Sequence, residues 1–264
     1  MERKFSQHSG HYLGGKYKIE RKYELTNESM EFEGHTLHRI KALVDFSGFT
    51  KGTLGGWIES EDNLSHEDGC WIHGESKVFG DARIRKSAQT RDNSVICEDA
   101  VISGNAAVYS NSRVSGDAFI CDNANIYGAS IVSGHTIIGN NSRIINSIVS
   151  CEFLDYRGMS ICLYDAKILD SSDYISFTGF GSINRTTYMF RGQDGSINVR
   201  CGCFTGTLKE FEHEIKHTIE WKLFTKGDKR RFSKEYLECV RLAKIHFGIN
   251  LLTSEGRRLY GYNN

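Results

Sequence analysis

Aliphatic residues recur every six positions through the middle of the chain. Counting from Ile72, one slot holds Val78, Ile84, Thr90, Ile96, Ile102, Val108, Val114, Ile120, Ile126, Val132, Ile138 and Ile144. Two residues before each of these from Val78 on stands a small residue: Ser76, Ala82, Ala88, Ser94, Ala100, Ala106, Ser112, Ala118, Ala124, Ser130, Thr136 and Ser142. Two residues after many of them comes a turn former: Gly74, Gly80, Asp92, Gly104, Gly116, Asp122, Gly128, Gly134 or Asn140. A period of six fits neither an isolated helix nor a lone alternating strand, but it fits a repeat that stacks on itself. A short strand buries one aliphatic side chain and then turns by about 120°. The inner corner has room only for Ala, Ser or Thr, and the outer bend favours residues that tolerate unusual φ/ψ. Three hexads close one coil, and coils stack at the usual strand spacing of about 4.8 Å.

The count survives less cleanly beyond Ile144. Ala166, Ile168 and Asp170 return to phase, with Ser150, Tyr156 and Cys162 expected in the inward slots between. The fold class expected is mainly β: a left-handed parallel β-helix with an N-terminal β cap and a small C-terminal α/β domain. The divisions expected are a hairpin-type cap over 1–53, the β-helix over 54–174, and an α/β unit with two helices over 175–264.

The flanks carry different periods. Tyr17, Ile19, Tyr23 and Leu25 alternate, as do Ile40, Ala42, Val44 and Phe46, and a Glu33–Gly34 turn follows Met30 and Phe32. These read as a hairpin covering the open end of the β-helix, where bare strand edges invite stacking. Trp57 and Trp71 are expected to plug the first coil. Downstream, YISFTGFG, TTYMFRG and INVRCGC read as strands. Thr207 and Glu210 have capping-box spacing, opening a helix with Leu208, Phe211, Ile215 and Ile219 on one face. A second helix is expected from about Ser233 to Phe247, with TKGDKRR (225–231) as the loop before it.

Composition sharpens this. The chain has 264 residues, 27 glycines and no proline, where average usage would give roughly a dozen prolines. Turns must therefore rest on Gly, Asn and Asp, as a regular repeat allows. Lys and Arg number 33 against 33 Asp and Glu, which argues against a dedicated nucleic-acid binder. No apolar h-region or membrane-length run is present, and the eight cysteines follow no framework. These features suggest a soluble protein of the cytoplasm with reduced thiols and no membrane partner.

The hexads resemble those of the hexapeptide-repeat superfamily, best known for trimeric acyltransferases, although those enzymes usually place Gly directly after the aliphatic residue. The whole chain is similar to a group of phage and prophage hexapeptide-repeat proteins of unassigned function. That likeness rests on KYELTNE (22–28), FEGHTLHRIKALVDF (32–46), LGGWIESEDNLSHE (54–67) and CGCFTGTLKEFE (201–212). It implies a host-cytoplasmic protein but no particular activity.

Candidate chemistry is sparse. His213, Glu214 and His217 match H-E-x-x-H, which can present two zinc ligands and a base. Phe211 and Ile215 take the core side of that helix, however, which turns the histidines to solvent. A structural metal shared with Cys201 and Cys203 is a further possibility, and a buried thiol pair on one strand face is the simpler account. An acyltransferase needs a histidine base, for which His135 is the fallback over His73. Residues eighteen apart should stack in outward columns. One runs through Tyr109, Tyr127, Ile145 and Leu163, and another through Val101, Phe119 and Ile137. Uncovered apolar ladders reduce solubility, so they point to a homotrimer interface or a ligand surface. The first functional reading is a phage- or prophage-encoded, non-catalytic, trimeric binding scaffold that captures a host protein or a small nucleotide-like molecule, without a cofactor, in counter-defence. A CoA-dependent acyltransferase is the alternative, and a virion or assembly component is third.

Overall fold

The computed structural model describes residues 21–156, 161–180, 185–217 and 226–249. Its centre is a parallel β-solenoid whose strands are mostly two residues long and pair with the strand eighteen residues on. On the first face the inward residues run Ile58, Val78, Ile96, Val114 and Val132. The second face stacks Ile84, Ile102, Ile120 and Ile138. The third carries Ile72, Thr90, Val108, Ile126 and Ile144 in a sheet of six strands.

The small residues fill the inner corners as their spacing required: all twelve from Ser76 to Ser142 are buried. Several of their hydroxyls are satisfied inside, although the buried Ser112 Oγ has no partner among the described residues. Ser76 is hydrogen-bonded to Thr90 at 2.8 Å and to Ser94 at 2.9 Å, and the Thr136 hydroxyl donates to the Ser133 carbonyl at 2.7 Å. The outer bends take positive φ every six residues, at the expected turn formers and also at Lys86, Glu98 and Ser110. Asparagines stitch one corner across coils, Asn105 donating to Asn123 and Asn123 to Asn141 at 3.1 and 3.2 Å.

The register slips late in the solenoid. Val132 pairs with Val149, seventeen residues on, and Ile144 with Leu163, nineteen on. The corner after Ile145 has lost a residue: Asn146 takes the positive φ and Ser147 the inner slot. A bulge opposite Gly134 and Thr136 restores it. Hence Val149 and Leu163 point inward, where Ser150 and Cys162 were expected, while Tyr156 keeps its pairing with Ile138.

At the N-terminal end, strands β1 (Tyr23–Phe32) and β2 (His35–Ala42) form an antiparallel hairpin through the Glu33–Gly34 turn, both residues at positive φ. Strand β3 (Leu54–Ile58) joins β2 antiparallel and enters the first coil parallel, so one sheet runs from cap into solenoid. Val44 and Phe46 lie past the end of β2 in a turn closed by the Phe46–Phe49 bridge, and Tyr17 and Ile19 fall outside the described residues. Trp71 is fully buried against Tyr23, Phe46 and Phe49. Trp57 is no plug: it shares register with the outward Lys77 and packs with Leu37, Phe79 and Cys97 on the outer surface, under the hairpin.

After the solenoid, four antiparallel strands (Tyr174–Phe180, Arg185–Arg191, Ile197–Cys201, Phe204–Thr207) form a separate sheet, one strand more than expected. Helix α1 (Leu208–His217) opens on the anticipated capping box: Glu210 accepts from the Thr207 N–H at 2.8 Å, and Thr207 Oγ1 accepts from the Glu210 N–H at 3.3 Å. Helix α2 (Lys226–His246) starts about two turns before its expected origin, so Lys226–Arg231 are helical rather than loop. Met189, Val199, Phe211, Phe232, Tyr236, Val240 and Ala243 form the core of this unit. Ile219 lies outside the described residues.

Candidate functional site

The corner between the first and second faces carries one residue of each coil outward: Asp81, Asp99, Asp117 and then His135, each eighteen residues after the last. At this corner the chain runs as a continuous strand, Ile131–Ile138, which holds His135 out from the surface. Its Nε2 lies 2.6 Å from Oδ2 of Asp117, one coil below, and both side chains remain about half exposed or more (64% and 48%). A carboxylate on one ring nitrogen fixes the tautomer and orientation and leaves the other nitrogen to exchange a proton. No partner to Nδ1 is found among the described residues.

The apolar ladder Val101, Phe119 and Ile137 stands two residues along from this column, in parallel register and half-buried. Its first rung is the exposed Arg83, which pairs with Val101 and has no ion-pair partner among the described residues. Ile131, at 42% exposed, borders His135 on the other side. The pair thus has one apolar strip beside it and, on its other side, a mixed column in which Arg113 lies one coil below Ile131.

The ladder on the third face requires a correction. Tyr109, Tyr127 and Ile145 stack as expected, the two tyrosine rings nearly parallel with centroids 4.9 Å apart. Leu163 does not follow them. The register slip turns it into the core at 0% exposure, and Tyr164 pairs with Ile145 in its place, 44% exposed. Partial burial pushes the Tyr109 phenol up.

The other sequence candidates lie apart. His73 is half-buried, edge-on to Phe49 and hydrogen-bonded to Gln89, and its burial lowers its pKa, as befits a packed residue. His213 and Glu214 are exposed on α1, and the side chain of His217 lies outside the described residues. Cys201 and Cys203 do not share a strand face. Cys201 ends its strand buried, accepting from the Thr187 hydroxyl at 3.1 Å, whereas Cys203 sits exposed in the following turn. Among the described residues no group of three or more His, Cys, Asp or Glu is arranged to hold a metal ion.

Asp117 was not singled out from the sequence. The signal was available, because a residue eighteen before a candidate base lies directly beneath it.

No family model matches the chain. A search of known proteins finds a stretch of 85 residues 34% identical to the "Uncharacterized acetyltransferase YdcK" of Escherichia coli (strain K12). The match covers 29% of this chain and 26% of that protein, so the chain spans about a quarter of the length of the relative it matches. The solenoid and this similarity both fit the hexapeptide-repeat superfamily. No described helix is long and apolar enough to cross a membrane.

Proposed function

We propose that this protein is a CoA-dependent acyltransferase in which His135 is the general base and Asp117 positions it. The observation that carries this reading is the 2.6 Å His135–Asp117 pair at an exposed corner beside an apolar ladder. The similarity to an acetyltransferase supports it, and reverses the order in which the sequence alone ranked enzyme and scaffold.

The chemistry needs one proton shuttled. Nδ1 of His135 takes the proton of an acceptor hydroxyl or amine as the acceptor's lone pair attacks the thioester carbonyl. The C–S bond then breaks, and the imidazolium returns the proton to the departing CoA thiolate. The substrate's pantetheine arm would lie along Ile137, Phe119 and Val101. Arg83 then stands three rungs away, roughly 14 Å at about 4.8 Å per rung, placed to meet a phosphate. The half-buried rungs Tyr109, Tyr127 and Ile145 support a homotrimer in which a second subunit completes the cleft.

Acetyl-CoA should raise the melting temperature. His135→Ala should lower kcat by about 10²- to 10⁴-fold with little change in melting, and Asp117→Asn should lower it by less. No thermal shift at millimolar acetyl-CoA would remove the proposal.

A non-catalytic binding scaffold is the second reading, favoured by the openness of the His135 corner, which no described loop covers. Native mass spectrometry separates the two. Protein carrying co-purified mass, without turnover, would favour the scaffold.

A further inference from the structure

A groove of about 450 Å³ lies where the last coil meets the C-terminal sheet, well within the range of small-molecule sites. Tyr164 and Asp165 of the solenoid form one wall. Asn198, Thr205 and the Thr207–Glu210 cap form the other, and Phe190, 1% exposed, is the floor. The walls are fixed to each other. The Gln193 N–H donates to the Asp165 carbonyl at 2.9 Å, its side-chain amide reaches the Asn146 carbonyl, and Ala166 bridges Gly192.

The lining contains two aromatic rings, two amides and three hydroxyls, the Tyr164 phenol included, and no Lys, Arg or His. Its carboxylates are only half used. Oδ1 of Asp194 accepts from the Ser196 N–H and hydroxyl at 2.9 and 2.7 Å, and Oε2 of Glu210 accepts from Thr207. These bonds hold both carboxyls below their ordinary range, so they stay ionised. Their second oxygens, the Asp165 carboxylate, the Asn198 Nδ2 and the Thr205 hydroxyl have no hydrogen-bond partner among the described residues.

We propose that this groove binds a small polyhydroxylated amine of the amino-sugar class. Tyr164 offers an aromatic surface to the C–H face of a sugar ring. Planar carboxylates and amides suit pairs of neighbouring hydroxyls, and ionised carboxylates suit an ammonium. Phosphorylated ligands are disfavoured, because fixed negative charge faces them with no cation in the lining. The site stands apart from the His135 corner and does not depend on its function.

The test is calorimetric titration at slightly acidic pH with three disaccharides: the β-1,4 dimer of glucosamine, its di-N-acetylated form, and cellobiose. The free diamine should bind roughly tenfold more tightly than the two uncharged sugars. Asp194→Asn with Glu210→Gln, which keep the turn and cap acceptors, should remove that preference at unchanged melting temperature. Tyr164→Ala should weaken all three. Absence of binding at millimolar sugar, equal binding of charged and uncharged sugars, or indifference to these substitutions would each overturn the proposal.

Discussion

Two stretches of the same solenoid obey different rules. From Ile72 to Ile138 each inward residue stands eighteen after the one below it, with the short strands set by small inner corners. From Ile144 on Val149, Leu163 and Ile168 are still fully buried, yet the spacing to the coil below runs from seventeen through eighteen to nineteen. What specifies an inward slot is therefore the geometry of the preceding corner, and the count of six is its usual consequence. Ile120 and Leu163 are both fully buried, one where the count is strict and one where it has slipped. Replacing either by Ala should destabilise the fold by about 2–5 kcal/mol, read from chemical denaturation. Cys162→Ala, in the slot the count favoured, should change stability by less than about 1 kcal/mol. A larger loss at Cys162 than at Leu163 would restore the uniform register and break the comparison.

The corners provide the next test. Gly134 and Gly74 both hold positive φ, at 69° and 56°. A Cβ on Gly134 would stand 2.2 Å from the Cys151 carbonyl oxygen of the slipped coil, whereas one on Gly74 meets nothing within 4 Å. Gly74→Ala should cost about 1 kcal/mol, the left-handed backbone penalty alone. Gly134→Ala adds a backbone clash and should cost about 2–3 kcal/mol. Equal melting temperatures for the two variants would mean that the sixth coil yields without resistance.

Much of this fold was legible because each hexad states the same local requirement. Small inner residue, aliphatic core residue and positive-φ bend were all present in sequence and all occupy their places. The slip was hidden because its parts cancel. One residue is lost after Ile145 and another after Tyr164, two are gained between them, and the sum brings Ile168 back into phase with Ile72, so a count made from the ends sees no fault. The early start of α2 was masked by its composition, since Lys226–Arg231 is polar and carries no apolar stripe. Of the candidate site, His135 could be picked by residue type and position. Asp117 required the stacking rule, and the groove at Tyr164 required a contact between units that no local pattern encodes.

The N-terminal end sharpens the contrast by way of pH. His66 is stacked on Tyr23 at 4.2 Å, and its Nδ1 accepts the Lys22 N–H at 3.2 Å. Burial depresses its pKa, partly opposed by Glu61. The folded state then binds fewer protons than the unfolded chain, so stability is unaffected above the unfolded value of about 6.5 and falls as pH drops below it. His66→Gln keeps a side-chain acceptor and does not titrate. Its melting temperature should decline less than that of the wild type between neutral and mildly acidic pH. Parallel declines would place the acid sensitivity elsewhere.

The smallest effect expected is at the hairpin tip, where Glu33 reaches across to the strict coils. Arg113 clasps its carboxylate with two bonds, at 2.8 and 2.9 Å, and also donates to Cys97 at 3.1 Å. The two side chains are 33% and 43% exposed, so solvent screens the pair despite its bidentate geometry. A double-mutant cycle with Glu33→Gln and Arg113→Ala should return a coupling of about 0.2–1 kcal/mol that weakens with salt. The hairpin would then be held chiefly by Leu37, Trp57, Phe79 and Cys97 beneath it, and Phe79→Ala should loosen it more than loss of the ion pair. A coupling well above that range would make the cap an electrostatic clamp, and high salt alone should then increase hydrogen exchange in the amides of β1.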